Sequence, residues 1–361
     1  MRIVKADTKR EQKRFLDFRR QIYINQNKYV DNNYYMVKEI FAAKLNYVKR
    51  IKIFPVNIVD DKNQILCQGI IAYSSELPEY IQLCFFEALE EQQSAVDMLI
   101  EEVRRVGREL KCNKMVIGLY GHVNYALGFQ DCGFGEKNSF AANANEKYYN
   151  DYFRHYQMEE IKLNTYKISK IDNRLERYSA LLRKLYKNYE FKFFDKKQFD
   201  YFSKIYTDLN NECFANHRYY YHREYEDDRE MLEELFMFMK EDSLIFAFKD
   251  NKPVAFVLWY PDFNELAKKG EAYGAKHYIK NLLQNKKIKT AKVMEFGVIE
   301  EYKKIGLPLA LLHKIWGILD HYGCEKAVTS WILDENIDSN SICQAVCDEK
   351  DKVYVVYEQT I

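Results

Sequence analysis

The feature that most constrains the fold of this 361-residue chain is an internal repeat. The segment LCFFEALEEQQSAVDMLIEEVRRVGRELKCNKMVIG aligns without a gap with EFGVIEEYKKIGLPLALLHKIWGILDHYGCEKAVTS, pairing Leu99 with Leu311 and Cys112 with Cys324 at a constant offset of 212. Few residues are identical, but both segments predict the same order of strand, turn, amphipathic helix and strand. The chain therefore contains one α/β unit twice.

A β-hairpin signal precedes each copy. Two apolar runs flank DDKN at residues 60–63, and two more flank KDNK at residues 249–252. Measured from its hairpin, the second copy contains roughly two dozen additional residues, namely the lysine-rich ELAKKGEAYGAKHYIKNLLQNKKIKTAK. This insertion allows three interpretations: a lid over a pocket, a contact with an anionic surface, or a solvated helix.

These patterns predict an α/β fold class, α+β by some schemes, with two tandem domains. Each domain is expected to be a mixed, mostly antiparallel sheet flanked by helices. We place the N-terminal domain at residues 1–165 and the C-terminal domain at residues 166–361, with the connection within residues 162–178.

Charge and cysteine usage narrow the class of protein. The 55 basic and 54 acidic residues nearly cancel, which argues against a nucleic-acid partner. The eight cysteines form no CxxC motif and no zinc-binding pattern, so we expect reduced, mostly buried thiols, no metal site and a cytoplasmic location. No apolar run is long enough to span a bilayer, although peripheral membrane contact stays compatible with the sequence.

The turn before the second long helix is the main candidate for ligand binding. It reads KKIGLP at residues 303–308, and a glycine-containing turn at a helix N-terminus presents backbone N–H groups to an anion. The first copy reads EQQSAV at residues 91–96, where a glutamate repels anions and serine replaces glycine. We therefore expect an anion site in the second copy alone, an ordinary βα connection being the alternative.

The second half resembles the GNAT superfamily of acyl-CoA N-acyltransferases. The resemblance rests on the hairpin, the strand ending in FGVIEEY, the turn, the helix LPLALLHKIW, and the strand AVTSWIL followed by Asn336. The family's turn, Arg/Gln-x-x-Gly-x-Gly/Ala, falls on Lys303, Gly306 and Pro308. Lysine thus replaces Arg or Gln, and a proline, which lacks an N–H donor, replaces the second small residue.

Further motifs resemble a bacterial subgroup of tandem GNAT proteins and extend the resemblance over most of the chain. They are the glycine- and aromatic-rich stretch ending in Asn-x-x-Tyr-Tyr within residues 124–153, the Asn-Glu-x-x-x-Asn helix end at 211–216, the PDFN turn at 261–264 and SWILxxN at 330–336. The resemblance implies two tandem GNAT-like domains, the first without a working cofactor turn and the second with an acyl-CoA site.

The resemblance also implies acetyl-CoA or another acyl-CoA as the cofactor. The strand would bind pantetheine through the backbone of Phe296, Gly297 and Val298, unless Gly297 marks a bulge. Asn336, which follows the next strand, is a further candidate for binding the cofactor. The pyrophosphate would be held by the turn residues Lys303, Lys304, Ile305, Gly306, Leu307 and Pro308.

The catalytic candidates are Asp262, Asn264 and Glu295. Asp262 and Asn264 follow an apolar strand beside the insertion and are expected to meet the amine, their alternative role being an Asx turn. Glu295 lies among apolar residues and is a candidate base or a partnered structural carboxylate. The tyrosine that GNAT enzymes often use as the acid is replaced here by Cys343. A Cys213–His217 pair would be needed for a covalent route, and inert buried thiols are the simpler interpretation.

Three functions remain open on the sequence. The first is an acyl-CoA-dependent N-acyltransferase, an acetyltransferase first of all, that acts on a small-molecule amine. The second is a long-chain N-acyltransferase that acts on a lipid amine, which the aromatic content and the basic insertion would suit. The third is a non-catalytic acyl-CoA-binding or scaffold protein, as Pro308 and the missing tyrosine would allow.

Overall fold

The computed structural model describes residues 1–26, 29–237, 239–272, 275–284 and 287–361. The strands in this part of the chain are β1 (Arg2–Lys5), β2 (Ile51–Val59), β3 (Ile65–Ser74), β4 (Tyr80–Ala88), β5 (Lys114–Ile117), β6 (Phe129–Gln130), β7 (Glu159–Ile168), β8 (Glu190–Phe193), β9 (Leu244–Lys249), β10 (Lys252–Pro261), β11 (Thr290–Val298), β12 (Lys326–Thr329), β13 (Ile332–Leu333) and β14 (Glu349–Thr360). The helices are α1 (Lys9–Gln26), α2 (Tyr34–Phe41), α3 (Gln93–Glu109), α4 (Tyr148–Arg154), α5 (Ser179–Asn188), α6 (Phe199–Phe214), α7 (Tyr225–Leu235), α8 (Ala275–Gln284), α9 (Leu307–His321) and α10 (Ile337–Val346).

All of these strands belong to one mixed sheet. Its order is β1-β2-β3-β4-β5-β14-β7-β12-β11-β10-β9-β8, with β6 paired to β14 and β13 to β7. The predicted hairpins are β2–β3 and β9–β10, both antiparallel. The predicted repeat is confirmed as β4-α3-β5 and β11-α9-β12, each of which ends in a parallel strand pair.

Two strands are exchanged between the halves of the sheet. The last strand, β14, pairs with β5, whereas β7 pairs with both β14 and β12. We call β1–β6, α1–α4 and β14 the first unit, and β7–β13 with α5–α10 the second unit. The predicted domain boundary between residues 165 and 166 falls within β7, and it stays a prediction.

Helices cover both faces of the second unit. On one face, α9 buries Ala310, Leu311, Ile315 and Leu319 at helical spacing against β10 and β11. On the other face, α6 packs against alternate residues of the same strands, among them Phe256. Burying each large apolar side chain contributes about 1.5–3 kcal/mol, so both helices are held firmly beside β11. None of the described helices is both long and apolar enough to cross a bilayer.

The described part of the insertion packs on the first unit. Gly270 N donates to Tyr29 O at 2.5 Å, and Asp31 N donates to Glu271 O at 2.9 Å. Residues 273–274 and 285–286 of the insertion lie outside the described residues. The insertion thus includes α8 and a contact that joins the two units.

The cysteines are all free thiols, but they are less buried than expected. Cys132 is exposed, and Cys213, Cys343 and Cys347 are partly buried. The prediction of mostly buried thiols holds only for the other half, because Cys343 lies on α10, Cys347 directly follows that helix, and Cys213 lies near the end of α6. The buried cysteines are Cys67, Cys84, Cys112 and Cys324.

Candidate functional site

The site begins where the parallel strands β11 and β12 separate. They pair from Thr290 and Lys326 to Val293 and Thr329, and Ser330 N then donates to Val293 O at 2.8 Å. Beyond this point β13 turns away to pair with β7, while β11 continues along β10. The edge of β11 past Val293 therefore faces a gap in the sheet.

A cavity of about 170 Å³ fills this gap and reaches both faces of the sheet. On one face its wall is formed by α9, with Pro308, Leu312 and Trp316 one turn apart, and by α10. On the other face it is formed by Phe214 at the end of α6 and by Asn124 of the first unit. The cavity thus joins two sides of the sheet through the gap between β11 and β12.

A β-bulge turns two consecutive side chains of β11 toward α6. Leu258 pairs with Glu295 but Trp259 pairs with Val293, which leaves Met294 as the additional residue. Met294 packs in the apolar cluster of α6, and Glu295 is hydrogen-bonded to that helix. The bulge thereby sets the carboxyl group of Glu295 at the cavity wall.

Glu295 is held by buried polar side chains. The Tyr206 hydroxyl donates to Glu295 Oε2, and Asn210 Nδ2 lies 3.5 Å from the same oxygen. Asn124 Nδ2 in turn donates to Asn210 Oδ1 at 3.1 Å, so the first unit reaches this network. Burial raises the pKa of Glu295 to about 7, and the Tyr206 hydrogen bond acts in the opposite direction. A carboxyl group with this pKa can accept and release a proton near neutral pH.

His217 also lines the cavity. Its Nδ1 lies 2.8 Å from Arg218 O. Because a carbonyl oxygen only accepts, Nδ1 carries the proton, and Nε2 of the neutral ring is an acceptor. Burial lowers the pKa of His217, which favours this neutral form.

Cys213 does not join His217 at the cavity wall. Its sulfur packs against β11, where a Cβ added to Gly297 would lie 3.1 Å from Cys213 Sγ and 2.3 Å from Phe256. Gly297 therefore allows α6 to pack closely on β11. Burial raises the pKa of the Cys213 thiol to about 12, so the sulfur stays protonated at neutral pH and is a poor nucleophile.

The predicted anion turn lies at the start of α9. A 3₁₀ helix, Glu300–Ile305, ends at Gly306, whose φ of +88° suits glycine. A Cβ at Gly306 would also lie 2.8 Å from Leu181. Lys303 Nζ lies 2.6 Å from Glu300, and Lys304 is exposed.

Three of the predicted cofactor-binding residues reach the cavity wall. They are Phe296, Pro308 and Asn336, of which Asn336 also caps α10 by accepting from Ser339 N at 3.1 Å. The other predicted residues are not part of the described cavity lining: Gly297, Val298, Lys303, Lys304, Ile305, Gly306 and Leu307. They lie along the strand and the turn that border it.

Asp262 and Asn264 form a contact between the units and are not part of the described cavity lining. Asp262 Oδ1 accepts from Phe140 N at 2.8 Å and from Asn264 N at 3.1 Å. Asn264 Nδ2 donates to Asn138 O at 2.9 Å. This geometry includes the Asx turn, and burial raises the pKa of Asp262 to about 6. A role of these residues in binding the amine stays a prediction.

Comparison with solved structures identifies the architecture. A tandem GNAT protein from the clavulanic acid biosynthesis pathway aligns with 99% of this chain and 98% of its own length, at a TM-score of 0.56 and 10% identity. This chain has the tandem GNAT fold. A conserved protein from Enterococcus faecalis V583, described as a probable N-acyltransferase, aligns with 100% of this chain and 72% of its own, at a TM-score of 0.53 and 10% identity.

A third GNAT structure is part of a larger protein. A GCN5-related glucosamine N-acetyltransferase region of a fungal multi-domain GH3 β-N-acetylglucosaminidase aligns with 99% of this chain and 38% of that one, at a TM-score of 0.56 and 12% identity. No family model matches the sequence, and no curated protein matches it. At these identities the likeness concerns the GNAT fold.

In the first unit, tyrosine side chains occupy the region between the end of β4 and the start of α3. This region corresponds to the end of β11 and the start of α9 in the second unit. Tyr149 OH accepts from Ala88 N at 3.1 Å, and Tyr148 OH donates to Ala88 O at 2.8 Å. Tyr152 OH accepts from Gln92 N at 2.9 Å, directly before α3. The end of β4 and the start of α3 are therefore hydrogen-bonded to α4 of the same chain.

The sequence did not single out several polar residues of the second GNAT unit. Tyr206 and Asn210 are one turn apart on α6. This spacing, which puts both on one face of a helix, was the signal in the sequence that could have linked them. Tyr166 on β7 lines the cavity and donates to Asn340 Oδ1 at 2.8 Å, but it is distant in sequence from the repeat. Cys343, already predicted from the sequence to stand in place of the GNAT tyrosine, lines the cavity as well.

Proposed function

We propose that this protein is an acyl-CoA-dependent N-acyltransferase that transfers an acyl group, acetyl in the first instance, directly to an amine. The observation that carries the proposal is the position of Glu295. Its carboxyl group, with a pKa of about 7, lies at the wall of a cavity that joins both faces of the sheet where β11 and β12 separate. General-base catalysis requires this combination of access and pKa.

The residues present fit an acyl-CoA. The free edge of β11 past Val293 offers backbone groups to an extended pantetheine arm, as another strand would. The turn at residues 303–308 adds two lysines and the N-terminus of a 15-residue helix, which attract a pyrophosphate. Pro308 supplies no N–H, so this turn has one donor fewer than a glycine or alanine would give.

When bound, the acyl-CoA supplies the thioester: the amine nitrogen bonds to the acyl carbon, the carbon–sulfur bond breaks, and one proton leaves the nitrogen while one reaches the sulfur. Glu295 accepts the proton of the amine. Tyr206 and Asn210 orient its carboxylate, and the apolar walls of α9 and α10 exclude water from the gap. Tyr166 lines the cavity, and its phenol is the same chemical group as that of the missing tyrosine. We propose that Tyr166 protonates the sulfur.

We further propose that the first domain, residues 1–165, binds no acyl-CoA. The support is that Tyr148, Tyr149 and Tyr152 already bond the backbone groups at the end of β4 and before α3. A ligand there would have to displace these hydroxyls. Asp262 and Asn264 then keep the first domain in place, and catalysis rests on Glu295.

Calorimetry with acetyl-CoA, a long-chain acyl-CoA and free CoA tests the proposal. We expect binding of acetyl-CoA to one site per chain, and its loss in Gly306→Glu, whose carboxylate would stand at the turn. Because any side chain at Gly306 is strained, thermal melts of the variant serve as the folding control. No binding by the folded wild type would contradict the proposal.

The same titrations separate the alternatives. Tighter binding of the long-chain acyl-CoA would favour a long-chain acyltransferase and a lipid amine, for which the apolar wall of Leu312, Trp316 and Ile342 leaves room. Binding without turnover across a broad amine panel would favour a non-catalytic acyl-CoA-binding or scaffold protein.

A further inference from the structure

The side of the cavity that faces α6 and the first unit has an aromatic wall. The rings of His217 and Trp331 lie 5.6 Å apart, and those of His217 and Phe214 lie 6.3 Å apart at 90°. Val123 of the first unit extends the same wall. Glu295 lies on this face as well, because the bulge of β11 turns it toward α6.

Charge is scarce in this cavity. Among the described residues that line it, Glu295 is the only aspartate, glutamate, lysine or arginine. His217 stays neutral at pH 7 because burial lowers its pKa. One ammonium group can therefore be matched here, and a second would be buried beside aromatic carbon without a counter-charge.

Many of the hydrogen-bonding groups that line the cavity are already bonded within the protein. Tyr206 donates to Glu295, Asn124 donates to Asn210, and Tyr166 donates to Asn340. A polyhydroxylated amine would lose its hydration without regaining hydrogen bonds. A flat ring, in contrast, would gain contacts with Trp331 and Phe214.

Resting on the proposed function, we propose that the acceptor is a primary monoamine with an aromatic or compact apolar body. The body packs against the wall formed by Phe214, His217 and Trp331, and the amine meets Glu295. The ammonium gives one proton to Glu295 and so becomes a neutral amine. As the amide forms, the nitrogen bonds to the acyl carbon, the carbon–sulfur bond breaks, and the proton that leaves the nitrogen balances the one that the sulfur takes up. The proposal excludes amino sugars and polyamines as preferred acceptors.

Steady-state rates with acetyl-CoA test this choice of substrate. The panel contains 2-phenylethylamine and tryptamine against glucosamine and spermidine, at equal free-base concentration. We expect kcat/KM for the aromatic amines to exceed that for the polar ones by about 100-fold, the discrimination that unpaired polar groups give. A preference for glucosamine or spermidine would overturn the acceptor class and leave the proposed acyltransferase standing.

Binding can be read without turnover. Of the three tryptophans, Trp331 lies on this face of the cavity, and 2-phenylethylamine does not fluoresce on excitation at tryptophan wavelengths. We expect the amine to change the emission of the wild type, with a much smaller change in Trp331→Phe. The same change in both proteins, or none in the wild type, would overturn the proposal.

A matched pair of variants completes the test. Trp331→Ala should lower kcat/KM for 2-phenylethylamine at least 10-fold while acetyl-CoA binding is kept. Tyr201→Ala removes an aromatic side chain of α6 that is 53% exposed, and should change neither. If 2-phenylethylamine changes the emission of Trp331 but no amine is acylated, the binding class holds and the proposed acyltransferase fails.

Discussion

Glu295 shows how one side chain acquires its chemistry from neighbours that are distant in sequence. An isolated glutamate would be ionised at neutral pH and a weak base. Burial raises its pKa to about 7, and the buried hydroxyl of Tyr206 limits the rise. The identity of the residue was visible in the sequence, whereas its poised pKa depends on the bulge at Met294 and on α6.

The pH dependence of the rate follows from these contacts. The base form of Glu295 increases as the pH rises through about 7, so we expect kcat/KM to rise over the same interval. Tyr206→Phe removes a donor that lowers this pKa, and should move the rising limb to higher pH. Glu295→Gln should lower kcat by about 10²–10⁴-fold with acetyl-CoA affinity unchanged.

A rate profile that keeps its midpoint in Tyr206→Phe would contradict this assignment. Equal activity of wild type and Glu295→Gln would exclude Glu295 as the base. His217, whose Nε2 is an acceptor, would then be the next candidate for the base among the described residues of the cavity wall.

Helices α9 and α3 occupy the same position in the two copies of the repeat, but the surroundings of their N-termini differ. Both follow the end of a strand that pairs in parallel with the next one. The start of α9 adjoins the cavity and two lysines, whereas the N–H before α3 is bonded to Tyr152. The difference lies in a few residues at the helix start, where the two copies also differ in sequence.

The contribution of the turn before α9 to acetyl-CoA binding can be measured by reversing one charge. Lys304→Glu reverses an exposed charge near the helix N-terminus and should weaken acetyl-CoA binding about 5- to 10-fold at low salt. Lys326→Glu reverses an exposed charge at the start of β12 and is the control. Equal effects in isothermal titration would assign the change to net charge and not to the turn.

The tyrosines of α4 are expected to act on stability alone. Tyr149→Phe removes the hydroxyl that bonds Ala88 N and Glu87 Oε2, while Arg19 still pairs with the other oxygen of Glu87, so we expect a loss of about 1–3 kcal/mol in the free energy of unfolding. Tyr35→Phe, at a side chain that is 42% exposed, is the urea-denaturation control. Weaker acetyl-CoA binding in Tyr149→Phe would mean that the first unit takes part in the cofactor site.

The limits of sequence reasoning are clearest at the level of strand pairing. Local periodicity predicted the hairpins and the two strand–helix–strand segments, because each depends on residues close in the chain. The exchange of β7 and β14 pairs segments far apart in sequence, and no local pattern specifies it. For the same reason the sequence contained no signal for the hydrogen bonds that join Asp262 and Asn264 to residues 138–140 of the first unit.

The two units should unfold as one. Trp259, Trp316 and Trp331 all lie in the second unit, so tryptophan emission reports on that unit, whereas far-ultraviolet circular dichroism reports on both. Because β14 and β7 join the units in the middle of one sheet, we expect coincident urea transitions by the two probes. Separate midpoints would show that the halves of the sheet are independent.

The placement of β14 also bears on synthesis. Residues 2–117 supply the first five strands of the first unit, but the strand that follows β5 in the sheet is made from residues 349–360. The nascent chain must therefore carry an open sheet edge next to β5 until those residues leave the ribosome. A polypeptide that lacks residues 349–360 leaves the edge of β5 in the first unit and the edge of β7 in the second unit unpaired. These exposed edges would give quality-control proteases a direct structural signal for an incomplete chain.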